Sequence, residues 1–571
     1  MHPQWGCGMM IPQMAGAMPG WKSQHTRPRR AALTCCVGVA VLSSAAQQPA
    51  ATYSVQGLVE NRLTHKPIAR ALVEMGGDNG DSVLTDSNGH FELNLPEGNY
   101  AITARRPGYS QRQSLVNRIT VSADMTAPTL YLTPQATVTG HVTLSGGEEA
   151  DGFRFFVYRK RSEQGHVRWE QSGMATTDSA GDFRFLELQA PGTYVFCNNP
   201  SPDDSRLMTH GYASTCFPGG ADFATAAAGP LMLTPGQQAE LDVALTRQKF
   251  YRVSITSPNL NLGQGAQVEI HGQTGLQAAE GETVSRRSGE EEIELPNGNY
   301  YAGVRSFGHP ASYGRIDFKV SDAPRPGLTV TALPLQPLRA EIHKDFTANS
   351  DSGQGIETVS GNEDGGFSNI NLNLIPADNL FENPFGGNLR RPEGGTDGDF
   401  YEMDGVTPGR YWVQAMTPEG YVSSMTSGQT DLMREPLTIG AGGSGAPIEI
   451  TLRNDTGTIE CTVNSPLNLI PDRGASNGET QPVSIYVIPQ SGSMFGFRET
   501  IGVPGGDADF PGLAPGIYTL AAFDGYYQID NADPDELARV IAKGQSVTVD
   551  AGSTAQVQLN PIPNPEENAS Q

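Results

Sequence analysis

Asp86-Ser87-Asn88-Gly89-His90-Phe91-Glu92-Leu93-Asn94-Leu95-Pro96-Glu97-Gly98-Asn99-Tyr100 holds the reading that decides the fold. Asp-x-x-Gly suits a tight turn: the Asp carboxylate accepts from the turn backbone, and Gly takes the left-handed conformation at its exit. Phe91, Leu93 and Leu95 then alternate with polar residues, the period of a half-buried strand. Pro96-Glu97-Gly98 makes a second turn. Tyr100 opens a further strand whose Tyr100, Ile102 and Ala104 share a face. A tyrosine there buries its ring and ties a loop with its hydroxyl, as at the corner of immunoglobulin-like sandwiches.

The pattern returns along the chain. Asp178, Gly181 and Phe183 with Phe185 repeat the first turn, and Gly192 and Tyr194 the second. A third copy keeps only the second half, ending at Tyr300, while the fourth and fifth keep Asp399-Phe400 and Asp509-Phe510 as well and end at Tyr411 and Tyr518. The five tyrosines are 94, 106, 111 and 107 residues apart, the length of one small sandwich. Alternating runs flank each copy. Phe153/Phe155/Val157, Val268/Ile270, Ile370/Leu372/Leu374 and Val483/Ile485/Val487 come before; Leu130/Leu132, Leu241/Val243/Leu245, Ile448/Ile450/Leu452 and Val557/Leu559 come after. The expected fold is all-β, a tandem array of about five β-sandwich modules at 47–134, 135–248, 249–337, 338–454 and 455–560. Joins such as Thr133-Pro134-Gln135 are short, which predicts a semi-rigid array. Residues 378–399, rich in Gly and Asn, read as a long loop. Asp533–Ala542 reads as a helix, with Asp533 as N-cap and Pro534 in the first turn. Residues 561–571 read as a disordered tail.

Composition agrees. With 571 residues the chain exceeds one hydrophobic core, and 67 Gly and 41 Pro leave little room for long helices. Residues 1–46 carry Lys22, Arg27, Arg29 and Arg30, no acid, then an apolar run from Ala31 to Leu42 and small residues before Gln47. That order is a secretory signal peptide, with Met18 an alternative start. The protein is therefore expected to be exported, whether periplasmic, on the outer cell surface or secreted, with no membrane span. A net charge of −24 repels phosphate backbones and argues against nucleic acid as a partner.

The opening Gly57…Pro67-Ile68-Ala69-Arg70-Ala71-Leu72-Val73, the Asp86–Phe91 turn and the Pro96–Tyr100 turn together resemble a carboxypeptidase regulatory-like domain. The resemblance covers residues 53–133 well, the second module less well, and the rest at the turns alone. It implies a transthyretin-like (prealbumin-like) β-sandwich, within a superfamily that includes starch-binding and Cna-B-type modules. The layout is similar to that of multi-module exported proteins of acidobacteria. It implies no activity, because in enzymes carrying this domain the zinc peptidase domain is a separate one. Lys66 stands where Cna-B-type domains place an isopeptide lysine, but the asparagine expected in the final strand is missing from Thr129–Thr133.

Catalytic chemistry is thinly represented. The histidines are scattered, with no zinc-site spacing. Gly474-Ala475-Ser476-Asn477-Gly478 matches the nucleophile-elbow string but lies in a polar loop without a strand-to-helix pattern. Asp397, Asp399 and Asp404 lack the regular spacing of a calcium loop. No catalytic residue, metal or cofactor is expected. Cys197 and Cys216 close a short loop that a disulfide would suit in an oxidising compartment; Cys461 reads as a small core residue. Trp169 shares a strand face with Val167 and reads as core. Alternation turns Trp412 off the core face, where it would stack on a sugar ring or, more simply, pack on a neighbouring module. Tyr526 and Tyr527 are further candidates for ligand stacking. The function classes are an envelope scaffold or adhesive array with a protein or glycan partner, a carbohydrate-binding protein, and an accessory of an outer-membrane, TonB-dependent-type transport system.

Overall fold

One pairing scheme recurs five times. The computed structural model describes residues 52–564 apart from short segments, the longest being 203–209, 273–284, 348–366, 393–399 and 465–481. In each repeat the first strand (Thr52–Asn61, Ala136–Leu144, Arg247–Thr256, Leu338–Asp345, Gly457–Val463) runs antiparallel to the strand preceding the tyrosine turn. Those partners are His90–Pro96, Asp182–Leu188, Glu290–Pro296, Phe400–Met403 and Asp507–Leu513. Its other edge pairs in parallel with the last strand of the same repeat: Thr129–Pro134, Gln238–Leu245, Arg325–Thr329, Ile448–Arg453 and Thr554–Leu559. Parallel pairing of first and last strands brings the chain in at one end of the sheet and out at the other. The next repeat can then begin at once: single residues, Gln135 and Thr246, separate the last strand of one repeat from the first of the next.

The facing sheet is built on the tyrosine strand. Gly98–Arg105, Gly192–Asn198, Gly298–Ser306, Gly409–Met416 and Gly516–Asp524 each pair antiparallel with an earlier strand, Leu72–Gly76, Arg154–Glu163, Ala266–Gly272, Phe367–Pro376 and Val483–Pro489. In the fourth repeat Phe385–Arg390 joins the two sheets into one nine-stranded sheet, and in all five repeats the alternating apolar residues meet in a separate core. Val55, Phe91, Ile102 and Leu132 share one, and Phe155, Val157, Phe183 and Leu245 the next. The others gather around Val253 and Ala302, Leu372 and Ile450, and Ile485 and Leu559. Burying each such side chain contributes roughly 1.5–3 kcal/mol, so every repeat has the means to hold its own sandwich.

Both turns work as their residues dictate. The Asp86 carboxylate accepts from the amides of Asn88 (2.8 Å) and His90 (2.9 Å), and Gly89 sits at φ 77°. Asp178 repeats this with Ala180 (2.9 Å) and Asp182 (3.0 Å), beside Gly181 at φ 82°. The residue before each Asp, which carries no signal in the sequence, is a buried Thr. Thr85 Oγ1 donates to the Ile68 carbonyl and accepts from the Ala71 amide; Thr177 Oγ1 donates to Ala150 and accepts from Phe153. At the second turn all five tyrosine hydroxyls donate to a carbonyl four or five residues back. Tyr100 reaches Pro96 (3.1 Å), Tyr194 Gln189, Tyr300 Pro296 (3.0 Å), Tyr411 Thr407 (2.9 Å) and Tyr518 Ala514 (2.7 Å). The ring lies so close to the glycine two residues earlier that a Cβ on Gly298 would stand 2.7 Å from the Tyr300 hydroxyl.

Three expectations are corrected. Residues 378–399 are not one loop, because Phe385–Arg390 forms a strand against Phe367–Pro376. Its Gly386-Gly387-Asn388 core carries no apolar alternation, so the pairing was invisible to a hydrophobic count. The tail begins later than expected: Ile562 donates to Ala522 and accepts from Asp524, and Asn564 is buried. The third correction concerns Trp169, which is buried but faces away from the sandwich core, while Val167 is exposed. The expected helix is present as α2, Pro534–Ile541, with Asp533 accepting from the amides of Asp535 and Glu536. A shorter helix, α1 at Phe223–Ala228, was not expected from the sequence.

Candidate functional site

The strand Arg154–Glu163 is buried on both faces. Phe155 and Val157 fill the sandwich core, while Phe156 and Tyr158 point outward. A strand reads this way only when something covers its second face. Trp169, Val195 and Phe223 of α1 share that second cluster with Cys197 and Cys216, which are disulfide-bonded. The two cysteines are directly opposite each other on paired strands, Gly192–Asn198 and Cys216–Phe217. Cys461 is free and buried in the fifth core, where burial pushes its thiol up to about 11.

Distant parts of the chain complete this cluster. Phe381 of the fourth repeat stands edge-on to Tyr158 (centroids 5.4 Å apart) and to Phe223 (4.4 Å). Trp412 stacks on His166, with ring centroids 4.3 Å apart and planes 15° from parallel. Alternation does turn Trp412 outward, since Tyr411 and Val413 are buried in the fourth core. What it meets is the second repeat, and partial burial of His166 lowers its imidazole pKa.

A third contact brings in the fifth repeat and is ionic. Arg159, with its side chain 5% exposed, reaches Asp530 (3.1 Å) and Asp533 (3.6 Å). Arg161 reaches the same Asp530 oxygen at 2.5 Å, and Lys160 pairs with Asp535 at 2.9 Å. Thr193 Oγ1 donates to Asp535 (3.1 Å), and the Ser162 amide donates to the Ala532 carbonyl (2.5 Å). Burial alone would raise the Asp530 carboxyl; Arg161 and Arg159 more than offset this and hold it below the usual carboxylate range. Burial also pushes the nearby Tyr194 hydroxyl up to about 12. Three consecutive cations thus engage three carboxylates around the start of α2, some 370 residues away. The Arg159-Lys160-Arg161 run and the Asp530, Asp533, Asp535 set are both visible in the sequence, but nothing in it joins them.

The other sequence candidates separate clearly. Tyr527 is not an open stacking surface: it is 7% exposed, its ring packs on Phe523, and its hydroxyl donates to Glu536. The strand Val483–Pro489 presents Tyr486 and Ile488 outward, and Tyr527 is drawn under α2 to cover them. Tyr526, Ser476, Asp397 and Asp399 lie outside the described residues. Asp404 is bound by Arg390 Nε at 2.9 Å. Lys66 is exposed. Among the described residues no group of three or more His, Cys, Asp or Glu is placed to hold a metal ion, and no helix is long and apolar enough to cross a membrane.

The doubled turn, the buried Thr85 and the first-to-last strand pairing fall within one matched segment. Residues 54–133 match the carboxypeptidase regulatory-like domain family. No curated protein is matched by the chain. Among solved structures, the Bacillus anthracis TIE protein aligns over 90% of this chain and 74% of its own, at 10% identity and TM-score 0.15. The shaft pilin SpaA from Lactobacillus rhamnosus GG aligns over 35% of this chain and 98% of its own, at 12% identity and TM-score 0.13. A Streptococcal ancillary pilin aligns over 50% and 99%, at 12% identity and TM-score 0.16. The matched segment is the first of the five sandwiches, and the hub described above lies on the second.

Proposed function

We propose that the chain is a non-catalytic exported scaffold or adhesive array of the cell envelope, its sandwiches fixed to one another by the outer face of the second. The observation that carries this reading is the Arg159-Lys160-Arg161 contact with Asp530, Asp533 and Asp535. A string of independent binding modules needs no such contact between its second and fifth members. A scaffold that must present other faces at fixed spacing does. Module boundaries near 135, 249, 338 and 455, and export directed by residues 1–46, belong to the same proposal.

The test is retention. The labelled chain, added to washed envelopes of its host, should be held saturably, and the native protein should fractionate outside the cytoplasm. A cytoplasmic location together with no retention overturns the reading. Carbohydrate binding is a second reading, and one face of the third sandwich favours it.

A further inference from the structure

The outward residues of three strands in the third sandwich, Ala266–Gly272, Gly298–Ser306 and Ser312–Val320, form a three-by-three grid. Register gives its rows as Gln267, Arg305, Tyr313; then Glu269, Gly303, Arg315; then His271, Tyr301, Asp317. The alternate residues, among them Ile270, Ala302, Val304 and Phe318, fill the core beneath. The central position of this face is a glycine. Glycine inside a central strand is unfavourable relative to alanine, and one of its meanings is close approach by a ligand or another chain segment. The tyrosine of the adjoining row leans over the gap: a Cβ on Gly303 would lie 3.3 Å from the Tyr313 hydroxyl and 3.4 Å from Cε2.

The two arginines of the grid are unequally used. Arg315 lies 3.8 Å from the Tyr301 ring centroid and pairs with Asp317 at 2.9 Å. Arg305 makes no ion pair among the described residues, and its Nε is buried without a hydrogen-bond acceptor. Its guanidinium carbon stands 5.9 Å from the Tyr313 ring centroid. Glu269, the acid of the neighbouring row, feels the charge of Arg305 but is turned to His271 at 3.7 Å. That Nε is closed to solvent and so to any ligand, which leaves the two terminal nitrogens of Arg305 as the donors. The acceptor that fits them is a planar carboxylate, which a guanidinium meets with two parallel hydrogen bonds. A half-buried tyrosine over a glycine beside it suits the flat C–H face of a sugar.

We propose that this face binds a glycan through an acidic sugar, the carboxylate on Arg305 and the sugar ring against Tyr313 above Gly303. The Arg315–Tyr301 pair bounds the site on the other side. The partner is a short or singly charged acidic saccharide, because the chain's overall charge opposes long polyanions. The inference rests on reading the chain as a binding array, but it uses a face remote in sequence and chemistry from the hub.

The experiment is calorimetric titration of the full chain with trigalacturonic acid, with cellotriose as the neutral comparison. Trigalacturonate should bind saturably and at least about tenfold more tightly than cellotriose, and Arg305→Gln should remove about tenfold or more of that affinity. Tyr313→Phe, which keeps the ring, should bind as the parent does, while Tyr313→Ala should bind more weakly. Equal affinity for the two saccharides, no binding of trigalacturonate, or full affinity in Arg305→Gln each overturns the proposal. Failure of envelope retention together with a cytoplasmic location, with trigalacturonate binding intact, would reject the array reading and leave this site standing.

Discussion

The second and third sandwiches share a pairing scheme and differ on their outer faces. In the second, Phe156, Tyr158, Trp169 and Val195 make that face apolar, and other repeats cover it. In the third, the same face is a grid of tyrosines and charged residues centred on Gly303. The inward residues of both obey the same period-two rule, because a sandwich must bury one face of each sheet. The outward residues obey nothing general. One repeat therefore uses its free face to hold the chain together, and another keeps it polar. Specialisation in a repeat protein of this kind is written on the alternate residues that the core does not need.

The largest expected effect tests whether the second sandwich holds the fifth. Asp530→Ala removes the carboxylate that Arg161 shares with Arg159, whose side chain is 5% exposed, and leaves the Asp533 cap of α2 in place. Breaking a buried pair by removing one partner costs about 3–5 kcal/mol, and the loss should appear as faster hydrogen exchange at α2 and at Arg154–Glu163. The third sandwich should be untouched, with exchange across Gly298–Ser306 as in the parent. Unchanged exchange at α2 would mean that the ionic contact does not hold the two repeats together. Next in size is the disulfide. Opening it by Cys197→Ser with Cys216→Ser releases a loop of sequence separation 19, for a cost of about 3 kcal/mol by loop entropy. The loss should fall on the melting of the second sandwich, and equal loss in the third would refute its local role. Smaller still is the corner: Tyr300→Phe removes one hydroxyl bond to Pro296, worth about 1 kcal/mol. The same change at Tyr518 should match it, and a difference above about 1 kcal/mol would mean the five corners are not equivalent.

These contrasts also mark what was legible in the sequence. Turn chemistry and alternation are local, so Asp86, Gly89, Phe91 and Tyr100 announced their roles, and so did the matching residues of the second repeat. The helix at Asp533 was legible because capping is local too. Long-range choices were not. Trp412 could be assigned a direction, since period two fixes that, but not a partner, since His166 belongs to a repeat two modules earlier. Phe156 and Tyr158 looked like a continuous apolar run, which shows that both faces are buried without showing what covers the outer one. Gly386-Gly387-Asn388 carries no apolar alternation and so leaves no hydrophobic signal to read. Tyr527 was misjudged because a tyrosine pair between turn residues looks exposed until α2 is placed over it.

The smallest effect is a pH dependence, and it separates the aromatic from the ionic part of the hub. Burial lowers the His166 pKa below the ordinary histidine value of about 6.5. A base whose folded pKa is depressed stabilises the fold in its neutral form. That stabilisation is complete above about pH 6.5 and is lost as pH falls through the lower folded value. Asp530 acts in the same direction over a more acid window, because Arg161 and Arg159 hold its carboxyl below about 3.9. Acidification should therefore loosen the His166–Trp412 stack first and the ionic contact later. Following the His166 ring proton by NMR should give a midpoint below about 6.5 that moves upward in Trp412→Ala, as the imidazole regains water. An equal midpoint in the parent and in Trp412→Ala would mean the stack is not formed in solution. In that case Trp412 would return to being an exposed ring open to a ligand.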